Sequence, residues 1–276
     1  MTRPSVSDRE WRIKFLKELQ ERFIKLERTV SIVIQGPLHE RSIKTIPAYL
    51  KYGDVIVSCW DKDDLSLLNK HKDKIKIVIN KRSEVPHSRL RSFGRHGPNP
   101  WILQSYSTYQ GIKEAKGFFV IKVRSDEAYP DLDAIIQKLY FWNEETSHYI
   151  KIITSDIYFR FNKDEPYHPS DHIIAGKRRQ LERGLEKAIF NSRAEIGKKY
   201  DFPEQVICMS IIESIWDNEN KRYVVPSREH SKKIMQKYFD IVPIRLLKDF
   251  EWSSSYRKYE SLKQPEAGWC QDINAI

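Results

Sequence analysis

Residues Phe118 to Val123 form a short run in which five of the six side chains are apolar and β-prone, interrupted only by Lys122. A run of that length and composition suits a buried strand rather than a helix. It stops abruptly in Arg124-Ser125-Asp126-Glu127, and Pro130 follows. In an open α/β sheet, ligands bind just beyond the carboxyl ends of the strands. A carboxylate pair in that position is where a metal or a phosphate-bearing substrate is expected, unless it is simply a polar turn that closes the strand.

Other strands fall into place around this one. Thr29–Ile34 reads as a strand stopped by Gln35-Gly36-Pro37, Asp54–Trp60 as a second ending at Asp61, and Lys74–Asn80 as a third. A helical stretch from Ile43 to Tyr52 separates the first two, and Trp101 to Ala115 reads as a helix leading into the central strand. Strands alternating with helices predict a largely parallel sheet. Beyond Pro130, Leu132, Ile135, Ile136 and Leu139 mark another helix, and Tyr149–Thr154 a strand followed by Ser155-Asp156. Residues 177–190 read as a basic amphipathic helix and Pro203-Glu204 opens an apolar one, with proline at a favoured first-turn position. From about residue 217 strands and loops are expected. Ahead of the sheet, Ser7 and Glu10 have capping-box spacing, and Trp11, Phe15, Leu19, Phe23 and Leu26 recur at helical intervals.

The expected fold is therefore α/β: a Rossmann-type mixed sheet flanked by helices in a single domain, with an amphipathic N-terminal helix over residues 1–28. Residues 29–276 form the domain proper, with a ligand-binding part at about 29–130 and a second part at about 131–276. Residues 81–100, rich in arginine, histidine and proline, read as a basic loop over an anionic ligand or as a solvated connection.

The net charge of +10 favours anionic partners without choosing among them. Cys59, Cys208 and Cys270 are odd in number and lack CxxC spacing, which fits neither a disulfide framework nor a zinc cluster. No leader-like segment or spanning apolar run is read in the sequence, so a cytoplasmic location, bacterial or viral, is expected, with peripheral membrane contact through the basic helices as an option.

Hard divalent cations such as Mg²⁺ and Mn²⁺ prefer oxygen ligands and are often held by one or two carboxylates plus substrate phosphates. Asp126, with Glu127 or Ser125 beside it, can supply that anchor, and His230 can cap a metal or phosphate from the C-terminal part. Asp171, flanked by Ser170 and His172, is a candidate base or else the N-cap of the helix that follows. Glu204 is a second candidate acid, or ordinary first-turn helix chemistry. Lys177-Arg178-Arg179 can hold a pyrophosphate or form a solvated basic face.

Taken in order, these pieces resemble the WavE-like glycosyltransferases of lipopolysaccharide synthesis. The resemblance runs through Val30 to Pro37, Ser58-Cys59-Trp60-Asp61, Gln104 to Ala115, Ile121 to Asp126, Ser155-Asp156, Tyr167 to Asp171 and Pro203-Glu204-Gln205. It covers roughly residues 30 to 216, and its most specific parts are the Lys122-x-Arg124-x-Asp126 run and the later Ser-Asp pair. It implies a GT-A-type enzyme that moves a sugar from a nucleotide-diphosphate donor, UDP- or GDP-linked, to a hydroxyl of a glycan acceptor, with no nucleic acid involved. On that reading Gln35, Gly36, Pro37, Asp61, Gln104, Arg124, Ser125 and Asp126 bind the nucleotide-sugar. Asp126, Glu127 and His230 hold a divalent cation, Mn²⁺ or Mg²⁺, and Asp171 or Glu204 deprotonates the acceptor with inversion. Arg124-Ser125-Asp126-Glu127 departs from the Asp-x-Asp motif of such enzymes, and Arg124 can itself neutralise phosphate, which would make the metal dispensable. Rival readings are a metal-dependent phosphohydrolase or nuclease using the same acids, and a basic nucleic-acid-binding module.

Overall fold

The structure, a computed structural model, describes residues 29–86, 100–144, 151–157, 167–193, 203–215 and 228–252. The amphipathic segment 1–28 and most of the basic loop (87–99) lie outside the described residues.

Seven strands form one sheet: β1 (Val30–Gln35), β2 (Asp54–Trp60), β3 (Ile75–Asn80), β4 (Phe119–Arg124), β6 (Ile152–Ser155), β7 (Ile173–Lys177) and β8 (Phe239–Val242). Their order is β3-β2-β1-β4-β7-β6-β8. β5 (Glu127–Ala128) and β9 (Glu251–Trp252) make a separate antiparallel pair. The helices are α1 (Glu40–Tyr49), α2 (Pro100–Glu114), α3 (Asp133–Glu144), α4 (Arg178–Arg193), α5 (Pro203–Ile215) and α6 (Arg228–Tyr238). The mixed, helix-flanked sheet expected from the sequence is present.

β1, β2 and β4 read as largely apolar runs because both of their faces are covered, and all six residues of β1 are buried, whereas β3 at the edge is only partly covered. Alternate side chains serve two cores. Ile32, Ile34, Ile121 and Val123 pack with α1 and α3 residues such as Tyr49, Ile135 and Leu139. Val33, Ile56 and Val120 pack with Ile112 of α2, Leu185 of α4 and Ile211 of α5 on the other face. Fully burying each such side chain stabilises the fold by about 1.5–3 kcal/mol. Gly184 lets α4 and α5 approach closely, since a Cβ there would lie 2.8 Å from the Ile211 Cα.

Two elements differ from the sequence expectation. β7 runs antiparallel to both β4 and β6, where no strand was expected between Asp171 and the following helix. The C-terminal part contains α6, which buries Ile234, Met235 and Tyr238 on one face of a charged segment. Its dense Lys and Arg content masks that stripe.

The chain builds β1, β2 and β3 outward in one direction, then crosses through α2 to lay β4 on the other side of β1. The order of strands thus reverses between β1 and β4, the place where open α/β sheets leave a crevice for ligands. Gln35-Gly36 and Arg124-Ser125 stand at its two lips, tied by the Ser125 N–H donating to the Gln35 carbonyl at 2.9 Å. Gly36 has φ +123°, and a Cβ there would lie 2.5 Å from Ser125 Oγ. Gly36→Ala is therefore expected to destabilise the protein by about 1–3 kcal/mol in thermal or denaturant unfolding, through backbone strain and a clash across the crevice.

Candidate active site

β4 places Val120, Lys122 and Arg124 on one face by its two-residue period, and Arg124 emerges at the crevice. Its guanidinium grips Asp126 with both arms, Nε to Oδ1 at 3.0 Å and Nη2 to Oδ2 at 2.9 Å. It also lies 3.5 Å from Glu127 Oε1. Burial alone would make Arg124 easier to deprotonate, but Asp126, Glu127 and Asp171 outweigh that and fix its charge. Burial likewise tends to raise the Asp126 carboxyl, and the Arg124 bonds overcome it and hold it below its ordinary value.

Because β7 is antiparallel, the segment entering it arrives at the same crevice. Asp171 and His172 come to lie beside the exit of β4, and both are buried. Ser170 is fixed from β6, its carbonyl accepting from Thr154 Oγ1 at 2.7 Å. Gln104 of α2 donates through Nε2 to Asp171 Oδ2, and the Lys122 ammonium donates to the Asp171 carbonyl. Burial pushes the Asp171 carboxyl up, but Lys122, His172, Arg124 and the Gln104 hydrogen bond together hold it well below the usual carboxylate range. The other oxygen, Oδ1, is buried and has no hydrogen-bond partner among the described residues, as is true of Gln35 Oε1 and Ser105 Oγ.

Glu127 is fully buried. Its Oε1 accepts from His172 Nδ1, and its Oε2 accepts from the Tyr129 hydroxyl at 2.6 Å. Tyr129 N–H in turn donates to the Tyr49 hydroxyl of α1 at 3.1 Å, so the cluster is anchored through the sheet layer. His168 Nε2 lies 3.4 Å from Glu204 Oε2 at the start of α5.

The sequence candidates divide accordingly. Gln35, Gly36, Ser125, Arg124, Asp126, Gln104 and Asp171 converge on the crevice. Pro37 and Asp61 follow β1 and β2 at the same sheet edge and are exposed. The carboxylate that ties down that edge is Asp63, whose Oδ2 accepts from Trp60 N–H at 2.8 Å and Leu38 N–H at 3.2 Å. The N-cap alternative for Asp171 fails, since the next helix begins only at Arg178 and β7 intervenes. Asp156 accepts from Ile244 N–H at 2.8 Å and secures the segment after β8. Lys177-Arg178-Arg179 begins at the far end of β7, where Lys177 pairs with Phe119 at the start of β4, away from the crevice. His230 lies in α6, and its side chain is outside the described residues. Sequence reasoning gave no role to His168 or Tyr129, set His172 beside Asp171 to orient it where the structure bonds it to Glu127, and treated Lys122 only as part of a motif. A lysine inside an apolar run was the available signal.

The expected metal set fits only in part. Glu127 is enclosed, with both oxygens engaged, and is placed as a buried support rather than a ligand. Asp126 is about a third exposed (32%) at the crevice. Among the described residues no group of three or more His, Cys, Asp or Glu side chains is arranged to hold a metal ion. Asp126, Glu127 and Asp171 are set against Lys122, Arg124 and His172, so the carboxylates here are matched by basic groups of the chain itself.

The family model for WavE lipopolysaccharide synthesis matches residues 30–244. The chain belongs to that family. The match spans the whole of the main sheet and reaches both sides of the crevice, as the resemblance implied. No curated protein matches the WavE-family chain. Among solved structures it is similar to glucosyl-3-phosphoglycerate synthase from Mycobacterium tuberculosis in complex with Mn²⁺, UDP and phosphoglyceric acid. That likeness has 18% identity over 60% of this chain and 64% of the other, with a TM-score of 0.38. Against the complex with Mn²⁺, UDP and glucosyl-3-phosphoglycerate the values are 14%, 87%, 76% and 0.44. Against the glycosyltransferase GlyE of Streptococcus pneumoniae TIGR4 they are 9%, 78%, 45% and 0.39. The chain thus spans somewhat less than two thirds of the first of these, 64% of its length. No described helix is long and apolar enough to cross a membrane.

Proposed function

We propose that this WavE-family protein is a glycosyltransferase that takes a sugar from a nucleoside-diphosphate donor, UDP- or GDP-linked, and transfers it to a hydroxyl of a glycan acceptor with inversion. The observation that carries this reading is the buried Asp171 carboxylate, with one oxygen held by Gln104 and the other unsatisfied, facing the Arg124–Asp126 pair across the switch-point crevice. That arrangement offers a proton acceptor and a charge clamp to one substrate.

In the proposed reaction the acceptor oxygen forms a bond to the anomeric carbon. The bond from that carbon to the diphosphate breaks, its electron pair leaving on the phosphate oxygen, and the acceptor proton passes to Asp171 Oδ1. Negative charge grows on the departing diphosphate, and preorganised positive groups stabilise it most where water is excluded. Arg124 supplies that group from the chain, oriented by Asp126 and Glu127. A divalent cation held by Asp126 would add further positive charge at the same place. Gln35 and Gly36 line the nucleotide side, and the half-buried Glu204, beside His168, is the second candidate base, on the acceptor side.

Calorimetric titration with UDP, GDP and CMP, with and without Mn²⁺, tests this on the wild type and on Asp126→Ala. One nucleoside diphosphate is expected to bind, more tightly with Mn²⁺, and to lose at least about tenfold in affinity in the variant. Absence of binding by all three nucleotides would overturn the reading.

A further inference from the structure

Lys122 is the charged residue in this region with no assigned task. It lies in the middle of β4 with its side chain 2% exposed, too deep to touch a donor at the crevice mouth. Around it are Gln104, Thr108 and the apolar side chains Ile112, Ile174 and Leu181. A buried ammonium persists only when anionic partners offset its lost hydration. Its resolved hydrogen bond goes to the main-chain carbonyl of Asp171, 49 residues away in the chain.

We propose that Lys122 is a positioning residue that aims Asp171 and keeps it ionised, and so sets the acid limit of sugar transfer. This rests on the assignment of Asp171 as the proton acceptor. The groups that face Asp171 are Lys122 and Arg124 from β4, His172 from its own segment and the uncharged Gln104 from α2. Of the charged ones, Arg124 is committed to Asp126 and Glu127, and His172 to Glu127. Lys122 alone among them contacts Asp171 directly from outside its own segment, and its charge opposes burial most strongly. Burial pulls the Lys122 ammonium toward deprotonation while the Asp171 charge pulls it back, so each group sustains the other.

The first readout needs neither donor nor acceptor. Protein labelled with ¹³C at aspartate carboxyls is titrated by NMR, and the Asp171 signal is assigned from its loss in Asp171→Asn. In the wild type Asp171 is expected to remain ionised to the lower end of the folding range. In Lys122→Met a midpoint is expected to appear inside the folding range, about one pH unit or more above the wild-type limit, since an adjacent opposite charge shifts a carboxyl by about 1–3 units. The acid limb of transfer should move up with it, while the rate at alkaline pH is kept. An unmoved Asp171 midpoint in a folded variant overturns the proposal, as does a uniform loss of rate at every pH. Should Lys122→Met fail to fold, the same pair is read from the other side. The ¹⁵N-labelled Lys122 ammonium should titrate at lower pH in Asp171→Asn than in wild type, and equality there also overturns the proposal. Wild-type binding of UDP and GDP keeps the two ideas apart. Lost nucleotide binding sinks the transferase reading, whereas an unshifted carboxyl sinks only the role of Lys122.

Discussion

Asp171→Asn is expected to lower turnover by about 10²–10⁴-fold, the usual contribution of a positioned general base. Nucleotide affinity, measured by calorimetry on the same protein, should stay within a few-fold of wild type. The substitution keeps the shape and leaves an amide oxygen for Gln104 to bond, so the fold has little reason to yield. What is lost is the carboxylate charge and the unsatisfied Oδ1 as a proton acceptor. The charge that Lys122 and Arg124 see is lost with it, and for that reason Glu204→Gln is the necessary companion. Glu204 is half-buried at the start of α5 beside His168, and it is the second base candidate of the proposal. A large loss in Asp171→Asn with a small one in Glu204→Gln fixes the base at Asp171. The reverse pattern moves it to α5.

Arg124→Lys should cost about 10²–10³-fold in turnover while preserving formal charge. The reason is geometric. A guanidinium offers a planar fork that meets both oxygens of Asp126 at once and still reaches Glu127, whereas an ammonium is a single point of charge. Removing one preorganised donor at a developing oxyanion costs that order of rate in other enzymes. A stability loss of about 1–3 kcal/mol should accompany it, because Asp126 and Glu127 lose charge-assisted bonds in a largely desolvated place. Denaturant unfolding reads the second effect and single-turnover kinetics the first. A lysine variant with wild-type turnover would shift the clamp on the diphosphate to other basic groups, and the loop of residues 81–100 would be the next place to look.

β1, β2 and β4 were legible because burial on both faces writes itself as largely apolar runs, and the break after Val123 marked the crevice. Arg124 and Asp126 could be placed from that alone. The partners of Asp171 could not, because Gln104 is 67 residues away and Lys122 is 49. Their meeting depends on β7 entering the sheet antiparallel, a direction that Ile173–Lys177 does not encode locally. Glu127 misled for a related reason. Beside Asp126 it reads as half of a cation site, yet the two neighbours face different ways at the strand end. Its enclosure depends on Tyr129 and on His172, 45 residues on. The basic run at Lys177 misled because sequence gives its charge but not the end of the sheet at which it falls.

The insertion of β7 between β4 and β6 also governs when this protein can work at all. The clamp belongs to the half of the sheet made by β1 to β4, and the base to the half made by β6 to β8. Neither half carries both. On the proposed assignment the base and the clamp stand together only while β7 is paired with β4. Local opening of Ile173–Lys177, followed by amide exchange, should silence the enzyme well before the first half melts. Activity in such a protein reports on the integrity of one strand.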